Sequence, residues 1–301
     1  MNCKNINILD CTLRDGGYYN NWNFKDNLIK SYLKLMNKLR IKYVEFGFIS
    51  FTSNLNNTGN VNRVLLKKIQ FPNQMKIGVM INAKEILDLN GKADKDKIKI
   101  LFQKKLSDKI NFIRFAFNLS ELNQLLIILK DKRFDKYEIF LNLMQASEIS
   151  SRELKKIIKL IEIKRIKYFY LADSFGSFKN SSIKKIFSQL IKNYDGNIGF
   201  HAHDNLGLAY SNATKVLKLG ANFIDSTLLG MGRGAGNLKT ETIYNYLYKG
   251  IHSKKIKNFN DKFFYPLLKK YNWGKNVYYK YAGINRIHPT YVQEILTNKN
   301  Y

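Results

Sequence analysis

Histidine occurs four times in 301 residues, and two of the four, His201 and His203, stand one residue apart. Alternate side chains of a strand share a face, with backbones about 7 Å apart, so these two imidazoles can converge on one cation. The competing reading is a hydrogen-bonded pair of core histidines. A cation at neutral pH also needs a carboxylate, and Asp15 in the run Asp10-Cys11-Thr12-Leu13-Arg14-Asp15-Gly16-Gly17 is the candidate. Two histidines and one carboxylate leave positions open for substrate oxygens. Arg14 beside such a ligand opposes the metal's charge unless it serves an anion. Its other reading is an ion pair to Glu45 or Asp173.

The elements that must position these groups are legible as an alternation. Short β-rich runs cover Asn5–Asp10, Tyr43–Phe48, Lys76–Ile81, Phe112–Phe117, Glu138–Met144, Lys167–Ala172, Asn197–His203 and Phe223–Leu228. Several are nearly continuous apolar runs, as parallel strands covered on both faces require. Amphipathic stretches separate them: Lys25–Leu39, Leu119–Leu129, Arg152–Ile163, Ser181–Lys192 with Ser181 or Ser182 as N-cap, and Leu206–Leu219 ending at Gly220. Strand-helix alternation repeated eight times in about 250 residues predicts an α/β fold, a (β/α)8 TIM barrel, with an open doubly wound sheet as the runner-up.

After about Lys249 the strands stop. Asp261–Tyr271 and His288–Leu296 read as helices, which predicts a catalytic barrel over 1–250 and a small helical extension over 251–301 packed on it. Barrel active sites form at the C-terminal ends of strands and in the loops that follow. The polar residues fall there: Glu45 in an apolar second strand, Arg114 in the fourth, Asn142 and Gln145 at the fifth, Asp173 and Ser174 at the sixth. After the eighth comes Gly230-Met231-Gly232-Arg233-Gly234-Ala235-Gly236-Asn237. Its bland reading is a tight turn. It lacks the acidic residue about 20 positions on that a dinucleotide fold wants, although its N–H groups near a helix start could hold a carboxylate or phosphate.

The formal charge of +28 invites a nucleic-acid or membrane reading. The basic residues are spread along the chain, however, and only nine of the 51 are arginine. Runs such as Lys92–Lys105 and Ser253–Lys262 read as solvated helix faces and loops. The expected partner is a small anionic substrate, not nucleic acid. No apolar run is long enough to span a bilayer, so no membrane partner is expected. Cys3 and Cys11 make no disulfide framework and no signal peptide is legible, which fits a reducing cytoplasm. A homo-oligomer is expected, as barrels commonly form them.

Leu9-Asp10-Cys11-Thr12-Leu13-Arg14-Asp15-Gly16 resembles the D-x-T-L-R-D-G motif of the DRE-TIM metallolyases. His201-Ala202-His203-Asp204-Asn205 resembles the H-x-H metal motif of that family, and Gly230–Asn237 resembles its Gly-rich segment. The resemblance covers roughly residues 5–250. Tyr281-Ala282-Gly283 resembles a stretch of the C-terminal region of 4-hydroxy-2-oxovalerate aldolases, whose tyrosine reaches the active site. That favours the aldolase branch over the longer acyl-CoA synthases.

The resemblance implies Asp15, His201 and His203 as ligands of a divalent metal, with Asn237 as a further ligand or else a turn residue capping the next helix. Manganese or magnesium is expected, with cobalt, iron or zinc as alternatives. The metal would act as a Lewis acid on an enolate formed when a C–C bond of a 2-oxo acid breaks. Arg14 would stand beside the developing oxyanion. Glu45 and Asp173 would support from behind, orienting Arg14 or a metal-bound water. One departure matters. Pyruvate-forming aldolases carry a histidine base three residues after the metal aspartate, and here that position is Tyr18. Tyr18, Tyr281 or His288 is therefore expected to handle the proton.

The competing functions are distinguishable. A Claisen-type synthase of the isopropylmalate or homocitrate kind would release free thiol from acetyl-CoA and a 2-oxo acid. A non-haem iron oxygenase would consume oxygen. A basic nucleic-acid-binding protein would show steeply salt-dependent binding.

Overall fold

The computed structural model describes residues 6–51, 55, 57–163 and 166–297. Cys3 and Asn5 lie outside the described residues. Eight strands close into a barrel in sequence order: β1 (Asn7–Asp10), β2 (Tyr43–Phe48), β3 (Lys76–Asn82), β4 (Phe112–Phe117), β5 (Glu138–Leu143), β6 (Tyr168–Asp173), β7 (Asn197–Ala202) and β8 (Phe223–Ser226). Every neighbouring pair is parallel, and β8 closes on β1 with Leu9 opposite Asp225. The eight strands anticipated from the apolar runs are all present, two with the same bounds and six displaced by one or two residues at one or both ends.

The period of two divides each strand between an outer and an inner face. Outward residues such as Ile77, Val79, Ile113, Phe115, Leu141, Phe169 and Phe200 join the large core beneath the helices. Inward residues change character along the barrel axis. Leu9, Cys11, Tyr43, Phe112, Phe140, Tyr170 and Phe223 form one apolar plug. Two residues further along their strands, Tyr43, Phe112 and Phe223 are followed by Glu45, Arg114 and Asp225, all fully buried or nearly so. The plug fits because Gly78 and Gly199 supply no side chain: a Cβ there would run into the rings of Phe112 and Tyr170. An apolar floor thus carries a charged layer, which faces the mouth where the βα loops gather.

The outer helices follow the amphipathic stretches, with local differences. The first runs Asp26–Lys38 and buries Leu28, Ile29, Tyr32, Leu33, Leu35 and Met36. Helix Asn180–Asn193 begins earlier than its serines suggest. Ser181 and Ser182 lie inside it, and the Ser182 hydroxyl donates back to the Lys179 carbonyl at 3.0 Å, so neither is the N-cap. Ala209–Leu219 ends at Gly220, whose φ of 126° a side chain would resist.

Helix Thr240–Tyr248 follows β8, and the remaining described chain is helical: Ser253–Phe259, a wider turn Asn260–Phe264, then Tyr265–Tyr271, Val277–Asn285 and Pro289–Thr297. The first three of these run on without a break, so the lysine-rich start at Ser253 is the exposed side of a helix that buries Ile256, Phe259 and Phe264. This region grips the barrel mouth. Trp273 Nε1 donates to the Leu229 carbonyl at 3.1 Å, and the Gln293 amide bridges Gly234 N and the Tyr18 carbonyl at 3.1 and 3.0 Å. Among the described residues no helix is long and apolar enough to cross a membrane.

Candidate metal centre

Asp15, His201 and His203 each place a ligand atom within 4.8 Å of the others, and all three are buried. Asp15 arrives from a single helical turn, Thr12–Asp15, at the end of β1. Asp10 anchors that turn by accepting from Thr12 N at 3.0 Å, from the Tyr32 hydroxyl at 2.6 Å and from the Thr240 hydroxyl at 2.7 Å. His201 lies on β7, and His203 continues its register one residue beyond the strand.

The two histidine Nε2 atoms face each other at 3.1 Å. His201 Nδ1 lies 2.8 Å from Asp225 Oδ2, so that nitrogen carries the proton and His201 Nε2 presents a lone pair. Burial, with His201 and Arg233 nearby, depresses His203 well below an ordinary histidine. His203 is therefore neutral and able to ligate. Burial opposes ionisation of Asp15, yet Arg14 and the histidines hold its carboxyl far below the usual carboxylate range.

Asn237 completes the group from the Gly-rich segment. Leu229 and Gly230 at φ 50° and 65° turn the chain after β8, and Gly234 and Gly236 at 68° and 85° turn it back. His203 and Asn237 then pair as an antiparallel bridge, and Leu238 N donates to Ala202 O at 3.1 Å. The Asn237 amide nitrogen donates to Asp15 while its Oδ1 is buried without a partner. Asn237 does not cap the following helix; that position is Lys239. Two facing imidazole nitrogens, an ionised carboxylate and an unused amide oxygen are a donor set that fits a divalent cation of the manganese, magnesium or zinc kind.

Arg14 lies across this group. Its Nη1 reaches Asp15 Oδ1 at 2.6 Å and its Nε reaches Glu45 Oε2 at 2.7 Å. Its Nη2 is buried and unpartnered among the described residues, a donor left for an incoming oxygen. Of the two ion pairs considered for Arg14, the one to Glu45 forms. Asp173 serves elsewhere: its carboxylate accepts Ser177 N at 2.8 Å and Phe178 N at 3.1 Å, fastening its own loop, and burial pushes its pKa up to about 7.

A chain of charges runs beneath the site. Glu45 accepts from Arg114 Nε and Nη2 at 2.8 and 2.9 Å, Arg114 Nη1 donates to Asp225 Oδ2 at 2.6 Å, and Asp225 holds His201. Arg114 is noticeable in the sequence as a charge in an apolar strand, but Asp225 was not singled out. The signal was of the same kind, one carboxylate in the run Phe223-Ile224-Asp225-Ser226.

The three residues considered for proton handling separate. Tyr281 is 63% exposed on helix Val277–Asn285, whose buried tyrosine is Tyr279, 3.3 Å from the Tyr19 hydroxyl. Tyr18 and His288 line one cavity of about 310 Å3 with Asn82, Lys84, Gln145 and Arg233. Tyr18 packs edge-on against Trp22 and Phe48, and the Arg14 guanidinium lies 5.6 Å from the Phe48 ring, which sets the cavity beside the metal group. Burial, then the Arg233 charge, lower His288 to about 4, so it is neutral at physiological pH.

Comparison with known proteins agrees with this fold. The HMGL-like family model matches residues 5–259. An oxaloacetate decarboxylase of Mycobacterium tuberculosis is 23% identical over 81% of this chain and 70% of its own length. A 4-hydroxy-2-oxovalerate aldolase of Burkholderia thailandensis is 32% identical over 134 residues, 44% of this chain and only 39% of that enzyme. Among solved structures, the N-terminal domain of a Bacteroides vulgatus protein whose aldolase assignment is provisional superposes with a TM-score of 0.83 at 33% identity, covering 98% of this chain and 97% of that one. The HMG-CoA lyase of Bacillus subtilis shares the fold, with a TM-score of 0.70 at 15% identity over 90% of this chain and 95% of that one.

Proposed function

This chain belongs to the HMGL-like family, and on that premise we propose that it is a divalent-metal-dependent aldolase that cleaves or forms a C–C bond of a 2-oxo acid. The carrying observation is the meeting of Asp15, His201 and His203 beside the free Nη2 of Arg14. Asp15, His201, His203 and Asn237 would hold the ion, with manganese or magnesium foremost. The ion would supply Lewis-acid stabilisation of negative charge on substrate oxygens.

The protein's own groups account for the remaining steps. In cleavage of a 4-hydroxy-2-oxo acid, the C4 hydroxyl gives up its proton, the C3–C4 bond breaks, and its electron pair passes to C3 and the C2 oxygen. An aldehyde leaves, and a proton returned to C3 gives pyruvate. Arg14 directs a buried, unpartnered N–H toward the oxygen that gains charge, and Glu45 and Asp15 fix its plane. His288 and Tyr18 are the cavity groups available to take the hydroxyl proton. Metal analysis combined with a screen for pyruvate release from 4-hydroxy-2-oxo acids tests the reading. Metal-free protein, or no release from any such acid with metal restored, sinks it.

Tyr18 favours a second reading. Decarboxylation of a 3-carboxylated 2-oxo acid forms the same enolate but has no hydroxyl to deprotonate, so it needs no histidine at this position. The similarity to an oxaloacetate decarboxylase agrees with this. Metal-dependent loss of oxaloacetate well above the rate with metal alone would select it.

A further inference from the structure

The cavity beside the metal group is a recognition site with its own chemistry. Ala116, Met144 and Tyr18, part of the apolar cluster around Trp22 and Phe48, form one wall. The rest is polar and includes two cations, Arg233 and Lys84. Its one acid, Glu121, is already used: it accepts from Asn118 N at 2.8 Å and caps its own turn. His288, the remaining titratable lining group besides Tyr18, is held neutral. With one carboxylate against two cations, the cavity lining carries a net positive charge.

Arg233 is built into this wall. Its backbone is fixed on the C-terminal side, where Gly234 N donates to Gln293 Oε1 at 3.1 Å and Gly234 O accepts from the Tyr19 hydroxyl at 2.7 Å. Pro289 packs against Gly234, and a Cβ there would meet its ring. The guanidinium lies 5.3 Å from the Tyr18 ring centre and, among the described residues, makes no ion pair. Its Nε is buried with no hydrogen-bond partner among the described residues. A planar five-donor cation, stacked on an aromatic ring and lacking an anion, is suited to a carboxylate or phosphate. A loop in a barrel mouth that needed only to turn would gain nothing from such a group. The tight glycines on either side already make the turn.

We infer that Arg233, assisted by Lys84, binds a second anionic group at the remote end of the substrate, so that the substrate is a 2-oxo acid carrying a further carboxylate or phosphate. This rests on the 2-oxo acid reading above and narrows it. The first carboxylate and the oxo group would face the metal group and Arg14, and the chain between would cross the wall of Tyr18 and Met144.

Calorimetric titration of manganese-saturated protein with three 2-oxo acids tests it. 2-Oxobutanoate has an uncharged tail, 2-oxoglutarate a second carboxylate, and 3-phosphonooxypyruvate a phosphate. At least one doubly charged ligand should bind tenfold or more tightly than 2-oxobutanoate, and which one does so separates the two anions. Arg233→Ala should reduce that margin at least tenfold. Arg233→Lys should keep part of it, which separates lost recognition from lost fold. Equal affinity for all three, or a margin that survives Arg233→Ala, overturns the inference. Pyruvate release is scored apart. If release fails while the charge margin holds, the cleavage reading falls and Arg233 keeps its role. If release occurs without the margin, only this inference falls.

Discussion

Asp225 Oδ2 sits 2.8 Å from His201 Nδ1 and 2.6 Å from Arg114 Nη1, so one carboxylate oxygen holds both an imidazole tautomer and a buried guanidinium. The second contact limits the first. Burial opposes ionisation of Asp225, but the Arg114 charge together with the hydrogen bonds from His201 and Arg114 outweighs it and lowers the carboxyl's pKa. An ionised Asp225 accepts the Nδ1 proton and leaves Nε2 as the ligating lone pair.

Asp225→Asn should therefore weaken metal binding without removing a ligand. Replacing such a supporting carboxylate typically costs about 10–100-fold in metal affinity. Competition with a fluorescent chelator would measure it. Unchanged affinity in the folded variant would mean that the tautomer is set by something else.

Metal removal should also be visible in the fold. A ligand that binds only the native state stabilises it by about 2.7 kcal/mol at 100 times its dissociation constant. Without it, two imidazole nitrogens face each other across 3.1 Å beside a buried carboxylate. A chelator should lower the melting temperature by several degrees, and excess manganese should restore it. Identical melting curves with and without chelator would argue against a site holding a cation.

Arg14→Ala should cost turnover far more than metal affinity. Removing one donor aimed at a developing oxyanion typically costs about 100–1,000-fold in kcat. The same substitution strips partners from Asp15 and Glu45, both buried. Arg14→Lys, which keeps the charge but not the Nε–Nη2 fork, is the control. It should remain folded and still lose most of the turnover.

These expectations depend on residues whose legibility in the sequence differed for physical reasons. His201 and His203 were readable because a strand repeats its face every two residues. Asp15 was readable because it lies in the polar run that follows the first strand, within the stretch that resembles the D-x-T-L-R-D-G motif. The same period placed Glu45 and Arg114 inside the barrel. Asp225 escaped because a lone acid in a short strand gains meaning only when β8 closes on β1 and comes within reach of Arg114, which is 111 positions away in the chain. Asp173 shows the converse. Its position at the end of β6 resembles that of the site residues, yet the tight turn after it offers two backbone N–H groups, and the carboxylate takes them. Tyr281 was not decidable by periodicity. Val277–Asn285 carries tyrosines at 278, 279 and 281; the first and last share an exposed side of the helix, and packing turned Tyr279 inward.

Asp173 also gives a pH signature. Its folded pKa of about 7 lies above the ordinary value of 3.8, because burial outweighs the two backbone hydrogen bonds. Between those values the folded state keeps a proton that the unfolded state has lost. Stability should then fall as pH rises from about 4 to 7 and level off above. Asp173→Asn should flatten that slope, as followed by urea midpoints across the range. A slope unchanged in the variant would assign it to other groups.

The proton acceptor is the sharpest remaining point, because Tyr18 and His288 share one cavity and make different predictions. His288 is already neutral at pH 7, held down to about 4 by burial and by Arg233, so it can accept a proton without first losing one. If it is the acceptor, His288→Ala should lower kcat for a 4-hydroxy-2-oxo acid by about 100-fold or more, within the usual range for general bases. Tyr18→Phe would then keep most of the activity, losing only the hydroxyl from the wall that Arg233 stacks on. If Tyr18 is the acceptor, the order reverses. A decarboxylation on the same site should be nearly indifferent to both variants, since no hydroxyl proton has to leave. Full retro-aldol turnover in both single variants and in the pair would place the acceptor outside this cavity, and would remove the explanation offered for the tyrosine three residues after Asp15.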